Sequence, residues 1–189
     1  MTSNLSEYIM KRFQHHPPQR RVFTVVGAIA LLSALSGCTE NQGEQQYAVP
    51  QSACGTPINS EQLAPFLPAG EKLSVRTTSK TDKVTKCSIS VDGKLIVQTS
   101  QEWWNDMSAF EFARGMTLDD PDQQANGGNY VYSGYQGFGK ALNCQNSKHK
   151  EQVLYTAVQA PGSKHRDADA MKQLITDFTR AVENSKACN

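Results

Sequence analysis

The sequence predicts an α+β domain: a mainly antiparallel sheet, helices packed on one face of it, and two disulfides. Three observations point there. Residues 87–98, CSISVDGKLIVQ, set Ile89 and Val91 against Leu95 and Val97 around Asp92-Gly93, the pattern of a tight β-hairpin. Residues 167–186 carry Met171, Leu174, Ile175, Phe178, Ala181 and Val182 at helical spacing, a continuous apolar stripe. Cys54, Cys87, Cys144 and Cys188 follow an export signal, and an even count in an exported chain reads as a disulfide framework.

The elements follow in order. Asn59 or Ser60 caps a short helix to Leu67, with Leu63, Phe66 and Leu67 apolar and Pro65 and Pro68 holding it to a turn or two. Residues 73–79 suit a strand, and the hairpin comes next. Residues 101–114, QEWWNDMSAFEFAR, place Trp103, Met107, Phe110 and Ala113 on one helical face, with Glu102, Asp106 and Glu111 as its surface acids. Residues 119–129 read as a loop, and Tyr130 and Tyr132 as a short strand before a glycine-rich turn. Residues 141–145 and 152–159 pair as strands around the polar tip NSKHKE. Asp167 and Asp169 open the last helix, where acids suit the dipole, and Lys186 lies near its end.

The chain has 189 residues, one domain of ordinary size with an appendage. Four of its 19 basic residues but one of its 18 acidic residues precede Cys38, leaving 15 against 17. A weakly acidic domain of mixed charge has no electrostatic reason to bind nucleic acid. Apolar residues make up 38 %, enough for a modest core that gains from covalent staples.

The appendage is an export signal over residues 1–37. A basic stretch ends at Arg20-Arg21, and residues 22–35, VFTVVGAIALLSAL, carry no charge. That run is too short for a hydrocarbon core of ~30 Å and suits a signal peptide. It ends in Leu35-Ser36-Gly37-Cys38, which resembles the bacterial lipobox. The resemblance implies a diacylglyceryl thioether on Cys38, cleavage before it and acylation of the new amino terminus. Each buried CH₂ contributes about 0.8 kcal/mol, so two or three chains anchor a protein stably. Arg20-Arg21-Val22-Phe23 resembles the core of a twin-arginine signal, although Gln19 and Thr24-Val25 depart from its flanks, so the general secretory route stays open beside it. Residues 38–53 are polar and Gln-rich and read as a lipidated flexible tether, with the α+β domain over 54–189. The expected address is the outer, extracytoplasmic face of the cell membrane.

Four cysteines allow three pairings, and sequence alone does not select one. Cys54–Cys87 with Cys144–Cys188 is the expected set, because each bridge then staples one half of the domain and the second pins the end of the last helix. The spacings hold no CxxC and no HxxxH, so no metal site is expected.

These features together resemble a known class. A lipobox cysteine, a polar tether, Cys54-Gly55 before a short helix, Cys87-Ser88 on a strand, Gly137-Phe138-Gly139, Cys144 and a final helix ending in Cys188 are similar to the small envelope lipoproteins of actinobacteria with domains of unknown function. The similarity covers most of 54–188 and rests mainly on cysteine placement. It implies two disulfides and an extracytoplasmic location, and no activity. A looser similarity is to two-disulfide extracellular sensor domains of bacterial receptor kinases, from which only the idea of a binding domain transfers.

Catalytic motifs are not legible. No GxSxG surrounds a serine, Ser133 has no evident partner histidine, and neither a P-loop nor GxGxxG is present. His149 and His165-x-Asp167-x-Asp169 read as loop and helix cap. No cofactor is implied. The candidate binding residues are aromatic: Trp103, Trp104, Tyr130, Tyr132, Tyr135 and Phe138, rings of the kind that stack on sugars or anchor a protein partner. The expectation is a non-enzymatic binding domain for an envelope protein or small ligand. The alternative is an enzyme acting on a cell-wall or lipid substrate.

Overall fold

The computed structural model describes residues 44–116 and 121–188. The expected export signal, Cys38 and residues 39–43 lie outside the described residues. Nine strands and three helices follow in the order β1 (Ser52–Ala53), β2 (Thr56–Pro57), α1 (Ser60–Leu63), β3 (Leu73–Lys80), β4 (Val84–Val91), β5 (Lys94–Asn105), α2 (Ala109–Met116), β6 (Gln123–Ala125), β7 (Tyr130–Tyr132), β8 (Gln136–Lys140), β9 (Gln152–Gln159) and α3 (Ala168–Glu183) among the described residues. β1 and β2 form a hairpin. The other seven make one sheet in the order β3-β4-β5-β9-β8-β7-β6, every pair antiparallel. The α+β class and its antiparallel sheet are thus as the sequence predicts.

Local chemistry explains the elements. Asn59 Oδ1 accepts from the amides of Glu61 and Gln62 at 3.0 and 3.2 Å, capping α1, which tightens into a 3-10 turn over Ala64–Phe66. Asp92 and Gly93 both take positive φ, 49° and 78°, as the two-residue hairpin between β4 and β5 requires. The Asp92 carboxylate also accepts from the amides of Glu71 and Lys72, tying the turn to the start of β3. Asp167 Oδ1 caps α3 through the Ala170 amide at 2.9 Å.

The β9-β8-β7 half of the sheet is buried on both faces, and each face there has its own helix. Along β9, Leu154 and Val158 pack under α3 with Met171, Leu174 and Phe178, while Tyr155 and Ala157 pack under α2 with Ala109 and Phe112. Alternation puts successive side chains on opposite faces. Here the structure corrects the expectation of helices on one face: α1 and α3 share a face, and α2 lies on the other. The signal was the unbroken buried run 154–158, because a strand covered on both sides loses polar alternation.

Three further boundaries differ. Residues 101–105 continue β5 as strand, and α2 begins only at Ala109. Its start is a reciprocal cap: Ser108 Oγ accepts from the Glu111 amide at 3.1 Å, and Glu111 Oε2 accepts from the Ser108 amide at 2.9 Å. Those hydrogen bonds from Ser108 hold the Glu111 carboxyl below its ordinary pKa. Residues 141–145 are not a strand. β8 is the partner of β9, and 141–151 is their connection. Glu183 Oε1 accepts from the amides of Leu142 and Asn143 at 2.8 and 3.2 Å and holds that connection to α3. Lastly, residues 44–53 of the expected tether belong to the domain. The Gln46 amide donates to Gly70 O at 2.9 Å, Tyr47 OH donates to Pro68 O, and Tyr47 and Val49 pack against the core.

The disulfides pair as expected. Cys54–Cys87 fastens the β1–β2 hairpin to β4 across 33 residues. Cys144–Cys188 ties the β8–β9 connection to the end of the chain after α3 across 44 residues. No helix among the described residues is long and apolar enough to cross a membrane.

Candidate binding surface

The six aromatic residues do not form one patch. Trp103 and Trp104 are neighbours on a strand, so they face opposite ways. Trp103 is buried, with the His149 ring stacked on it at 4.5 Å between centroids and 11° between planes. Tyr130 and Tyr132 are buried in the core beneath α3, and Phe138 is buried in the core beneath α2. Four of the six are core residues: Tyr130, Tyr132 and Phe138 lie on strands covered on both faces, and Trp103 faces the α3-side core under the His149 ring. Tyr135 is half-buried under the Arg166 guanidinium, 4.3 Å above its ring. Trp104 is 45 % exposed.

Trp104 is also fixed. Its indole Nε1 donates to Glu102 Oε2 at 3.1 Å, and Glu102 Oε1 lies 3.1 Å from Lys86 Nζ as an ion pair without hydrogen-bond alignment. Glu102 itself is buried, with a side chain 3 % exposed, whereas the helical reading put it on the surface. A carboxylate taken out of water needs partners, and Lys86 and the indole are those partners. Beneath them the end of β5 is tied down by hydrogen bonds. Tyr155 OH donates to Met107 O at 2.7 Å and accepts from the Met107 amide at 2.8 Å. Burial pushes the Tyr155 phenol up in pKa. Lys140 Nζ donates to Asp106 and to Met107 O, and the Asp106 hydrogen bond raises its pKa.

The register builds the surroundings. Arg76, Ser88 and Gln98 form one row across β3, β4 and β5, and Lys86 with Ser100 the next; Glu102 follows on β5. Ser100 and Glu102 pair with Ala157 and Tyr155 of the α2 core, so all these residues lie on the α2 face. α2 packs on β7, β8 and β9, with Phe112 stacked on Tyr155 at 4.8 Å and Gln159 Nε2 donating to Met116 O at 3.1 Å. Over β3, β4 and β5 that face has no covering element among the described residues. Arg76 is exposed there, and Lys86, Ser88, Ser90 and Gln98 are half-buried. Ser100 is buried, and its hydroxyl has no hydrogen-bond partner. Sequence reasoning missed Glu102 and Lys86. Strand alternation through 97, 99, 101 and 103, read past Gln98, carried the signal.

Other groups singled out in the sequence are structural. His149 Nδ1 donates to Gln152 Oε1 at 2.8 Å, and depressions of ≈ 440 and ≈ 400 Å³ border the ring, lined by amide, hydroxyl and lysine side chains of the β8–β9 connection. His165 meets the Phe66 ring edge-on at 5.1 Å, and Asp167 is a helix cap. The Ser133 hydroxyl is buried without a hydrogen-bond partner, so no base adjoins it. Among the described residues no three His, Cys, Asp or Glu side chains gather as a metal site.

The arrangement defines a disulfide-stapled α+β domain in which a half-exposed indole, hydrogen-bonded to a buried carboxylate, stands near the end of β5 beside Val153 and Val84. Compared with family models, with curated proteins and with solved structures, the chain matches none.

Proposed function

We propose that this chain is an exported lipoprotein, anchored through Cys38 at the outer face of the cell membrane, whose domain binds a partner and performs no catalysis. The observation that carries the binding reading is Trp104, an exposed indole held rigid by a buried carboxylate at the margin of an uncovered sheet face. An indole left about half exposed offers an anchor to a partner, and holding it in advance lowers the entropy lost when a partner arrives. The two bridged cysteine pairs support the address, since cytosolic thiols stay reduced.

Chain direction supports an outward-facing site. Residues 45 and 46 enter the domain beside Gly70, next to the Asp92–Gly93 turn where β5 begins. Trp104 stands near the other end of β5, about 33 Å along the strand at ~3.3 Å per residue. Cys38 precedes Gln45 by no more than about 25 Å of extended chain. A lipid there keeps the Asp92–Gly93 end nearer the bilayer and Trp104 farther from it.

The test is photo-crosslinking in intact cells from position 104, with position 172 on the exposed side of α3 as control. Position 104 is expected to yield one recurrent adduct that 172 does not. No adduct at 104, or the same adduct at both positions, contradicts the proposal.

A further inference from the structure

We propose that Cys144–Cys188 is a site of thiol–disulfide exchange for a partner dithiol, and that Cys54–Cys87 is a fixed staple. The inference goes beyond the binding reading and does not rest on it.

The two bridges stand in different surroundings. Cys87 lies within β4, 2 % exposed, with Thr77 of β3 and Thr99 of β5 opposite it on either side. It belongs to the same core cluster as Ile89, Val91 and Val97. Neither Cys144 nor Cys188 belongs to a strand or helix. Cys144 is half-buried and lines the ≈ 440 Å³ depression with Asn146, Ser147 and Lys150. Cys188, itself buried, follows the turn after α3, with exposed Lys186 two residues before it.

Exchange needs an accessible sulfur and a leaving thiolate that its surroundings tolerate. Cys54 and Cys144 are both half-buried, so access alone does not separate the bridges. The leaving group does. Attack on Cys54 would expel the Cys87 sulfur as an anion among apolar side chains inside a sheet, where burial penalises charge. Attack on Cys144 expels Cys188 from a turn outside the sheet, two residues from a lysine, and the Lys150 ammonium in the depression favours the incoming thiolate. One partner thiolate bonds to Cys144 Sγ as the Sγ–Sγ bond breaks, and Cys188 leaves with the electron pair. The partner's second thiol, deprotonated, then displaces Cys144. The partner becomes a disulfide, the bridge gains two electrons, and the two cysteines take up the two protons that the dithiol gives up.

Opening stays local. The β8–β9 ladder runs through Gln136–Lys140 and does not pass through residues 141–151. Besides the bridge, residues 144–151 are tied across the fold by the Asn146 side-chain amide on Ala187 O at 3.0 Å and by the His149 ring on Trp103. Parting the bridge frees this stretch to lift while the sheet stays paired. His149 then leaves Trp103, one residue from Trp104.

The test uses the full chain carrying Cys38→Ala, which removes the fifth cysteine, in detergent micelles. Dithiothreitol is added for graded times, free thiols are alkylated, and labelled peptides are counted by mass spectrometry. Cys144 and Cys188 are expected to label about tenfold faster or more than Cys54 and Cys87, with the far-ultraviolet circular dichroism unchanged. The chain has two tryptophans, so adding Trp104→Phe leaves Trp103 as sole emitter, and its emission is expected to shift in step with the labelling. Equal rates at the two bridges, faster labelling of Cys54 and Cys87, or labelling of Cys144 and Cys188 only as the circular dichroism is lost overturns the exchange site. Unchanged Trp103 emission at complete labelling overturns the local opening.

Discussion

Exchanging Cys144 and Cys188 together for serine is expected to cost about 4 kcal/mol of stability and to lower the urea midpoint by about 2 M. The bridge closes 44 residues, so the unfolded chain gains much freedom when it is cut. Few other contacts replace it: the Asn146 side-chain amide reaches Ala187 O at 3.0 Å, and Glu183 holds the start of the connection. The loss reaches beyond stability. The same connection carries His149, whose ring covers Trp103 on the strand that presents Trp104. An unchanged urea midpoint would mean that the bridge adds nothing to the fold.

Gly139→Ala is expected to destabilise the domain by about 3 kcal/mol, and Gly139→Val by more. A Cβ at this position would lie 2.4 Å from Thr179 Oγ1, 2.9 Å from Thr156 Oγ1 and 3.0 Å from Tyr130 Cε1. Thr156 and Thr179 share a buried hydrogen bond of 2.7 Å between β9 and α3, which the added methyl would force apart. Two residues earlier, a Cβ on Gly137 would meet Ile175 Cβ at 2.8 Å. The two glycines make a smooth strip on β8, and α3 lies directly on it. Thermal unfolding with near-ultraviolet circular dichroism checks this, and a Gly139→Ala protein with wild-type Tm would refute the close packing.

These glycines mark where sequence reading failed. Gly137-Phe138-Gly139 reads as a turn, because glycine loses most entropy inside a strand. Here the missing side chains are what the helix needs. The hairpin at Asp92-Gly93 and the stripe of α3 were legible, since each follows from local periodicity. The middle helix was misplaced because Trp103, Met107 and Phe110 happen to fit a helical period as well as a strand followed by a turn and helix. The error carried into the site. On a helix, Trp103 and Trp104 could not both point into the core, and Glu102 would face water. On a strand, Trp103 is core, Trp104 is exposed and Glu102 is the buried clamp between Lys86 and the indole. The tyrosines of β7 were legible as aromatic but not as buried, because burial depended on α3, which is distant in sequence. The disulfide pairing follows from placing one bridge in each half: Cys54 beside the β1–β2 hairpin joins Cys87 within β4, and Cys144 in the β8–β9 connection joins Cys188 after α3.

In the proposed reading the outward presentation of Trp104 depends on an anchor at Cys38, since attachment there would set which end of β5 faces the bilayer. Growing the wild-type and Cys38→Ala chains in cells fed radiolabelled palmitate tests that most directly. Label is expected in the wild-type chain and absent from Cys38→Ala. No label in the wild type, or equal label in both, would contradict the anchor and with it the orientation of the binding surface.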